Sequence, residues 1–195
     1  DSNLETFDDR ELWLSPLTGD AAGSLRQVTS APQGAFSPAI ALDANGNPLV
    51  VFLVPSRTDD RQLTDGSGSG STVWYARQAG ENWQTAAVGE GWRAEDPQLA
   101  IGENGRALIV GRGFIDHPSD SQYGELMAAV AKLGSGPLEW SVETLSGDGL
   151  TNWQTDLALS PNGTTALVTS VKQSPYRESA PRAIEPRARY ASGVR

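Results

Sequence analysis

The amino-acid sequence predicts an all-β chain built from the four-stranded antiparallel blades of a β-propeller. Three observations support this fold class. A hairpin pattern centred on Asn-Gly occurs three times, a second strand pair follows two of these hairpins, and glycine (21) and proline (12) are frequent among the 195 residues. Short apolar runs separated by many turn residues are typical of all-β domains.

Each repeat has an apolar strand, an Asn-Gly turn and a second apolar strand. Asn-Gly between apolar runs is the strongest short-range signal of a β-hairpin. The asparagines, at positions 45, 104 and 162, are 59 and 58 residues apart. The repeats that they define cover residues 37–52, 96–111 and 155–170. Both strands of each repeat are almost continuously apolar, so we expect other layers to cover both of their faces.

A second, more polar strand pair completes each repeat. Residues 72–78 are predicted to pair with 82–88, and residues 125–133 with 139–145. A similar pair comes before the first repeat, and its strands cover residues 11–17 and 24–30. Four strands, a to d, over about 58 residues describe one propeller blade.

The strand count predicts an incomplete ring. Residues 10–30 form half a blade (strands c and d), residues 35–89 and 93–146 form two blades, and residues 153–172 form another half blade (strands a and b). These add up to three blade equivalents, whereas propellers contain four to eight blades. We therefore expect another copy of the chain, or another protein chain, to complete the ring. Residues 174–195 contain five arginines and three prolines, and they are interpreted as an extended or disordered arm.

Composition excludes several function classes. The net charge of −9 repels phosphate backbones, so no nucleic acid is expected as a partner. No apolar run reaches the length of a membrane span, and membrane insertion is not expected. The absence of cysteine rules out disulfides, thiol catalysis and Cys-ligated zinc.

Two features could be read as metal sites. Asp43, Asn45 and Asn47 offer oxygen ligands for calcium, but only Asn-Gly persists at the equivalent positions of the other repeats, so a turn is favoured. His117 is the only histidine, flanked by Asp116 and Asp120, and we interpret it as a solvated loop residue. We therefore predict no metal, no cofactor and no catalytic residue.

Blade topology brings the b–c and d–a loops to one end of the blades, which we call the loop face; the a–b and c–d turns define the opposite turn face. Carboxylates and arginines of these loops share the loop face, together with Trp92 and Trp153. Tryptophan beside carboxylates suits sugar stacking, although packing between blades is the commoner role of a propeller tryptophan. The residues predicted to bind a ligand there are Arg57, Asp59, Asp60, Trp92, Arg93, Asp96, Arg112, Asp116, His117 and Trp153.

The segments "SPAIALDANG" (37–46) and "VWYARQ" (73–78) resemble blades of the sialidase-like bacterial propellers. The resemblance covers residues 10–172 and implies the fold, not an activity. The nearest text to a sialidase Asp-box, "SGDGLTNW" (146–153), has a misplaced Gly and lies between strands d and a. The arginines show no sign of the carboxylate-binding triad of sialidases either.

We expect a non-catalytic scaffold or recognition module of an exported bacterial protein, extracellular or periplasmic, that binds protein or glycan on the loop face. Two alternatives remain open. One is part of a sialidase-like glycoside hydrolase or lyase that another chain completes, which requires carboxylates with perturbed pKa values near the channel. The other is a lectin-like module, which requires exposed tryptophans at equivalent places in successive blades.

Overall fold

A computed structural model describes residues 10–18, 21–29, 34–55, 71–89, 92–113, 125–146, 151–173 and 184–192. Within these residues all regular elements are β-strands, without any helix. The chain begins with a short hairpin in which β1 (Trp13–Leu14) pairs with β4 (Arg26–Gln27), and β2 (Leu17–Thr18) with β3 (Ala21–Ala22). We call residues 12–29 the N-terminal hairpin.

Two four-stranded antiparallel sheets follow, as the repeat predicts. Blade 1 contains β5 (Phe36–Leu42), β6 (Pro48–Pro55), β7 (Ser71–Ala79) and β8 (Asn82–Ala87). Blade 2 contains β9 (Ala94–Ile101), β10 (Arg106–Gly113), β11 (Glu125–Lys132) and β12 (Ser141–Thr144). In both sheets each strand pairs with the next strand in sequence. This order confirms the prediction of four-stranded up-and-down blades.

The third sheet, blade 3, has three strands: β13 (Thr151–Leu159), β14 (Thr165–Gln173) and β15 (Ile184–Ser192). The interpretation of residues 174–195 as an extended or disordered arm missed β15, which pairs with β14 along its whole length. Pro186 and the arginines give this segment little strand propensity of its own. The sheet order leaves β15 at an edge, where a proline is tolerated.

Tight turns join strands a and b of each blade at the predicted Asn-Gly pairs. Gly46, Gly105 and Gly163 have φ angles of 80°, 74° and 69°, a left-handed conformation that glycine adopts without strain. The turn of blade 1 is fixed further by Asp43, whose Oδ1 accepts hydrogen bonds from the backbone N–H groups of Asn45 and Asn47, both at 2.8 Å. These local bonds are those of an Asx turn.

The sheets pack face to face through three apolar clusters. One lies between the N-terminal hairpin and blade 1, the largest between blades 1 and 2, and the third between blades 2 and 3. Blade 2 therefore buries both of its faces against neighbouring blades, and fully buried side chains such as Val51 and Val110 lie at these seams. The described residues form a β-propeller of about three blade equivalents, in which strand a of each blade is innermost and the ring is incomplete.

Candidate functional site

A β-bulge interrupts the pairing of strands a and b near the loop face in all three blades. The ladder shifts register between Phe36 and Ala39 in blade 1, between Val110 and Arg112 in blade 2, and between Trp153 and Thr155 in blade 3. Bulges redirect side chains and are frequent beside functional sites. The loop-face ends of the innermost strands are therefore the first place to look for a site.

Two residues in these bulges have strained backbones. Ser37 and Asp96 are the non-glycine residues with positive φ among the described positions, at 49° and 48°. Both are exposed, both come directly before a proline, and both lie eight positions before the Asn of their Asn-Gly turn. Such conformations cost roughly 1–3 kcal/mol each and are concentrated at functional sites. Their recurrence in adjacent blades points to the same rim of the central strands.

The residue before each bulge shows where blade 2 departs from the others. Register pairs Phe36 with Leu53 in blade 1 and Trp153 with Val171 in blade 3. The equivalent pair in blade 2 is Glu95 with Arg112. Because the other two blades form the same bulge around apolar pairs, the fold does not require charges here. We call Ser37, Glu95, Asp96 and Arg112 the inner rim.

Glu95 and Arg112 form a partly buried ion pair. The Arg112 Nη1 and Glu95 Oε2 atoms are 3.3 Å apart, and the two side chains are 7% and 26% exposed in that order. Burial raises the pKa of Glu95 above its ordinary value, the positive charge of Arg112 opposes this rise, and the neighbouring Asp96 carboxylate adds to it. The net result is a solvent-reachable carboxyl group that holds its proton more strongly than a free glutamate.

Asp96 is held beside this pair by contacts from two strands. The Thr155 hydroxyl of blade 3 donates to the Asp96 carbonyl oxygen at 3.1 Å, and the Gln98 amide lies 3.3 Å from Asp96 Oδ1. The Asp96 carboxylate itself is exposed. The inner rim thus offers a hydroxyl, two carboxyl groups and a guanidinium group. Such groups hydrogen-bond sugar hydroxyls, and suitably spaced carboxyl groups carry out glycoside hydrolysis.

Four of the predicted ligand residues can be placed in full. Arg112 and Asp96 belong to the inner rim, and Arg93 is half-buried, its backbone bridging to Thr72. Trp92 is 6% exposed and packs within the cluster between blades 1 and 2. The expectation that Trp92 stacks on a sugar therefore needs correction, because its apolar ring is used to join two blades, which is the packing alternative.

The other predicted residues lie wholly or partly outside the described residues. The backbone of Trp153 is in β13, whereas its side chain is outside the described part of the structure. The remaining predicted residues, all in the two long b–c loops, are outside the described ranges: Arg57, Asp59, Asp60, Asp116 and His117.

Sequence reasoning missed two members of the inner rim. Glu95 was placed on the loop face only as one of many carboxylates, and Ser37 was not considered. The repeat itself carried the signal, since aligning the three Asn-Gly pairs puts Glu95 in one column with Phe36 and Trp153. A charge in a column of aromatic residues marks that position as different.

The described ranges contain no cluster of three or more histidine, aspartate or glutamate side chains suited to a metal ion. No helix among them has the length and apolar character needed to cross a membrane.

Comparison with known proteins supports the fold. No protein-family model and no curated protein sequence matches the chain. Among solved structures, an α-L-arabinanase of Penicillium chrysogenum, crystallised with arabinobiose, has 12% identity and a TM-score of 0.56; the match covers 95% of this chain and 56% of that one.

Two further matches have lower structural similarity. An endo-arabinase of Bacteroides thetaiotaomicron has 13% identity and a TM-score of 0.47 over 85% of this chain and 61% of that one. A thermostable family-43 glycoside hydrolase has 12% identity and a TM-score of 0.47 over 96% and 73%. The chain thus spans about three fifths of the first two structures. The likeness shows a β-propeller, and it does not single out the sialidase-like group.

Proposed function

We propose that this chain is a carbohydrate-binding portion of a β-propeller, and that the inner rim contacts the glycan. The observation that carries the proposal is the Glu95–Arg112 ion pair, which replaces the apolar pairs of blades 1 and 3 at the same bulge. A charged pair with a partly exposed carboxyl group, next to the strained residue Asp96, is an arrangement that the fold alone does not require.

The similar structure with a TM-score above 0.5 supports sugar as the ligand class, since it is an arabinanase in complex with arabinobiose. Arabinobiose and longer arabino-oligosaccharides are therefore the first probes. Calorimetric titration of the chain should give saturable binding, and Glu95→Gln should weaken that binding by about tenfold, the effect of losing one charged hydrogen bond of about 1.4 kcal/mol.

The matched control for this variant is Glu103→Gln. Glu103 is an exposed glutamate in the Asn-Gly turn of blade 2, at the opposite end of the same two strands. The Glu103→Gln variant makes the same chemical change on the turn face and should leave binding unchanged. Equal binding by both variants and the original chain, or no binding of arabino-oligosaccharides and of a wider glycan array, would refute the proposal.

Glycoside hydrolysis is a second candidate, favoured by the raised pKa of Glu95. A carboxyl group that keeps its proton can act as a general acid, while a second carboxylate acts as base or nucleophile. Incubating the chain with arabinan and measuring reducing ends separates the two functions. Release of sugar by the original chain and loss of release in Glu95→Gln would support hydrolysis; binding without release would support recognition alone.

A further inference from the structure

The two outermost blades of the chain each present an uncovered apolar surface on their inner strands. In blade 1, Ile40 and Leu42 of β5 are 53% and 60% exposed. Ile40 pairs with Val50 across the ladder, and residues that are opposite in a ladder share one face of the sheet. Ile40 and Leu42 therefore lie on the face that Val50 turns toward the N-terminal hairpin.

The N-terminal hairpin covers only the outer part of that face. Its Val28, with Ala35 just beyond it, packs against Val50, Phe52, Val54 and Ala76, which belong to strands b and c. The innermost strand stays open. The N-terminal hairpin therefore takes the place of the outer strands of a preceding blade. The part of blade 1 that stays uncovered is where strands a and b of that preceding blade would pack.

Blade 3 presents the complementary surface at the other end. Ala166 and Val168 of β14 point toward blade 2 and are buried. Leu167, between them, points the opposite way and is 40% exposed; its ladder partner Ala158 is exposed too. This outer face belongs to a sheet that contains strands a and b, the inner strands that the N-terminal hairpin lacks, with β15 as its third strand.

The charges of the two chain ends are also complementary. Residues 1–11 contain five acidic residues and one arginine, whereas residues 174–195 contain five arginines and two glutamates. Opposite charges favour the approach of unlike ends over like ends, because like charges across an interface are costly. The overall charge of −9 opposes association of any two copies, and the unlike charges of the two terminal segments favour a head-to-tail contact over a like-to-like one.

We propose that two copies of this chain assemble head to tail, with the outer face of blade 3 in one copy seated on Ile40 and Leu42 of the other. Each chain spans three blade positions, and two chains close a ring of six, within the range of known propellers. The contact is heterologous, and a rotation that closes the ring limits the assembly to a dimer. Closure brings the inner rims of both copies to one channel.

Light scattering tests the proposal directly. The chain has a mass of 20.7 kDa, so the dimer has twice that mass. Ile40→Lys with Leu42→Lys should give the monomer mass, and so should Leu167→Lys. These side chains are exposed, so the changes should not impair folding, which circular dichroism checks. The matched control, Gln84→Lys with Thr85→Lys, adds the same charges to exposed positions of the outer strand β8 and should remain dimeric.

Mixing the two monomeric variants tests the orientation. A head-to-tail ring of two copies has two contacts. When one copy is Ile40→Lys/Leu42→Lys and the other is Leu167→Lys, all the new lysines lie in one contact and the other contact is unchanged. Partial dimer formation should therefore return on mixing. A monomeric original chain at high concentration overturns the proposal. A dimer that survives Leu167→Lys overturns it as well, because that result indicates a like-to-like contact.

Discussion

The seam between blades 1 and 2 differs from the seam between blades 2 and 3. The first has the larger apolar centre, with aromatic side chains such as Tyr75 and Trp140, whose ring centroids are 5.9 Å apart. It also has polar contacts toward the turn face, where the Arg77 guanidinium donates to the carbonyl oxygens of residues 134 and 135 at 2.7 and 3.2 Å. The second has a smaller apolar centre with polar contacts at both ends. At the loop face these are the Glu95–Arg112 pair and the bond from Thr155 to Asp96.

At the turn face of the second seam, the Glu103 backbone N–H donates to the Pro161 carbonyl at 2.7 Å, and an Arg106 Nη1 group donates to the Gly163 carbonyl at 3.2 Å. The comparison shows that both seams combine apolar packing with polar contacts toward the turn face, whereas the charged pair at the loop face belongs to the second seam. The loop-face contacts of the second seam therefore serve a requirement other than joining blades: they hold carboxyl groups where solvent reaches them.

The largest effect is expected from breaking the ion pair of the second seam. Arg112→Met leaves the Glu95 carboxylate partly buried without its cation, and the free energy of unfolding should fall by about 2–3 kcal/mol, below the range for fully buried pairs because Glu95 is partly exposed. Urea denaturation measures this change.

A double variant makes the second seam resemble the first. Glu95→Phe with Arg112→Leu installs the pair that blade 1 carries as Phe36 and Leu53. Stability should return to within about 1 kcal/mol of the original, since apolar pairs replace buried ion pairs without loss in many proteins. If the double variant is as unstable as Arg112→Met, the charges have a structural role and the comparison between the blades fails.

A smaller effect is expected at the turn face, where the two seams also differ. Gly46 has no atom near the position of an added Cβ, whereas Gly163 would place one against the Asn104 side chain. Alanine at either position is strained by the positive φ, so we expect Gly46→Ala to cost about 1 kcal/mol and Gly163→Ala about 2 kcal/mol in unfolding free energy. Equal costs would mean that the Asn104 side chain moves away freely and that the turns do not fix the seam.

The hairpins could be predicted from sequence because Asn-Gly and the flanking apolar strands are local signals. The inner rim was predicted only in part: Asp96 and Arg112 were expected at the loop face. The pairing of Glu95 with Arg112 could not be predicted, because it depends on a bulge that shifts the strand register between Val110 and Arg112. Trp92 was misassigned for a related reason: its position near a loop is visible in the sequence, but the face of the blade to which its ring turns is not. Strand β15 forms through pairing with β14, a tertiary effect that overrides weak local propensity.

The smallest effect concerns the protonation of Glu95. It distinguishes the charged contact at the loop face of the second seam from apolar contacts, because apolar side chains do not titrate. Because the pKa of Glu95 is raised in the folded state, chiefly by burial, the folded chain binds its proton more tightly than the unfolded chain does. The resulting contribution to stability is fully present below the ordinary glutamate pKa of 4.5. It is lost as the pH rises through the raised pKa of the folded state.

We therefore expect the original chain to lose unfolding free energy relative to Glu95→Gln as pH rises above about 4.5, by under about 1 kcal/mol in total. Urea denaturation of both chains at several pH values measures this change. Glu103→Gln serves as the control and should show no such trend. A trend in the opposite direction would mean that attraction to Arg112 outweighs burial, so that Glu95 is ionised throughout and cannot serve as a proton donor.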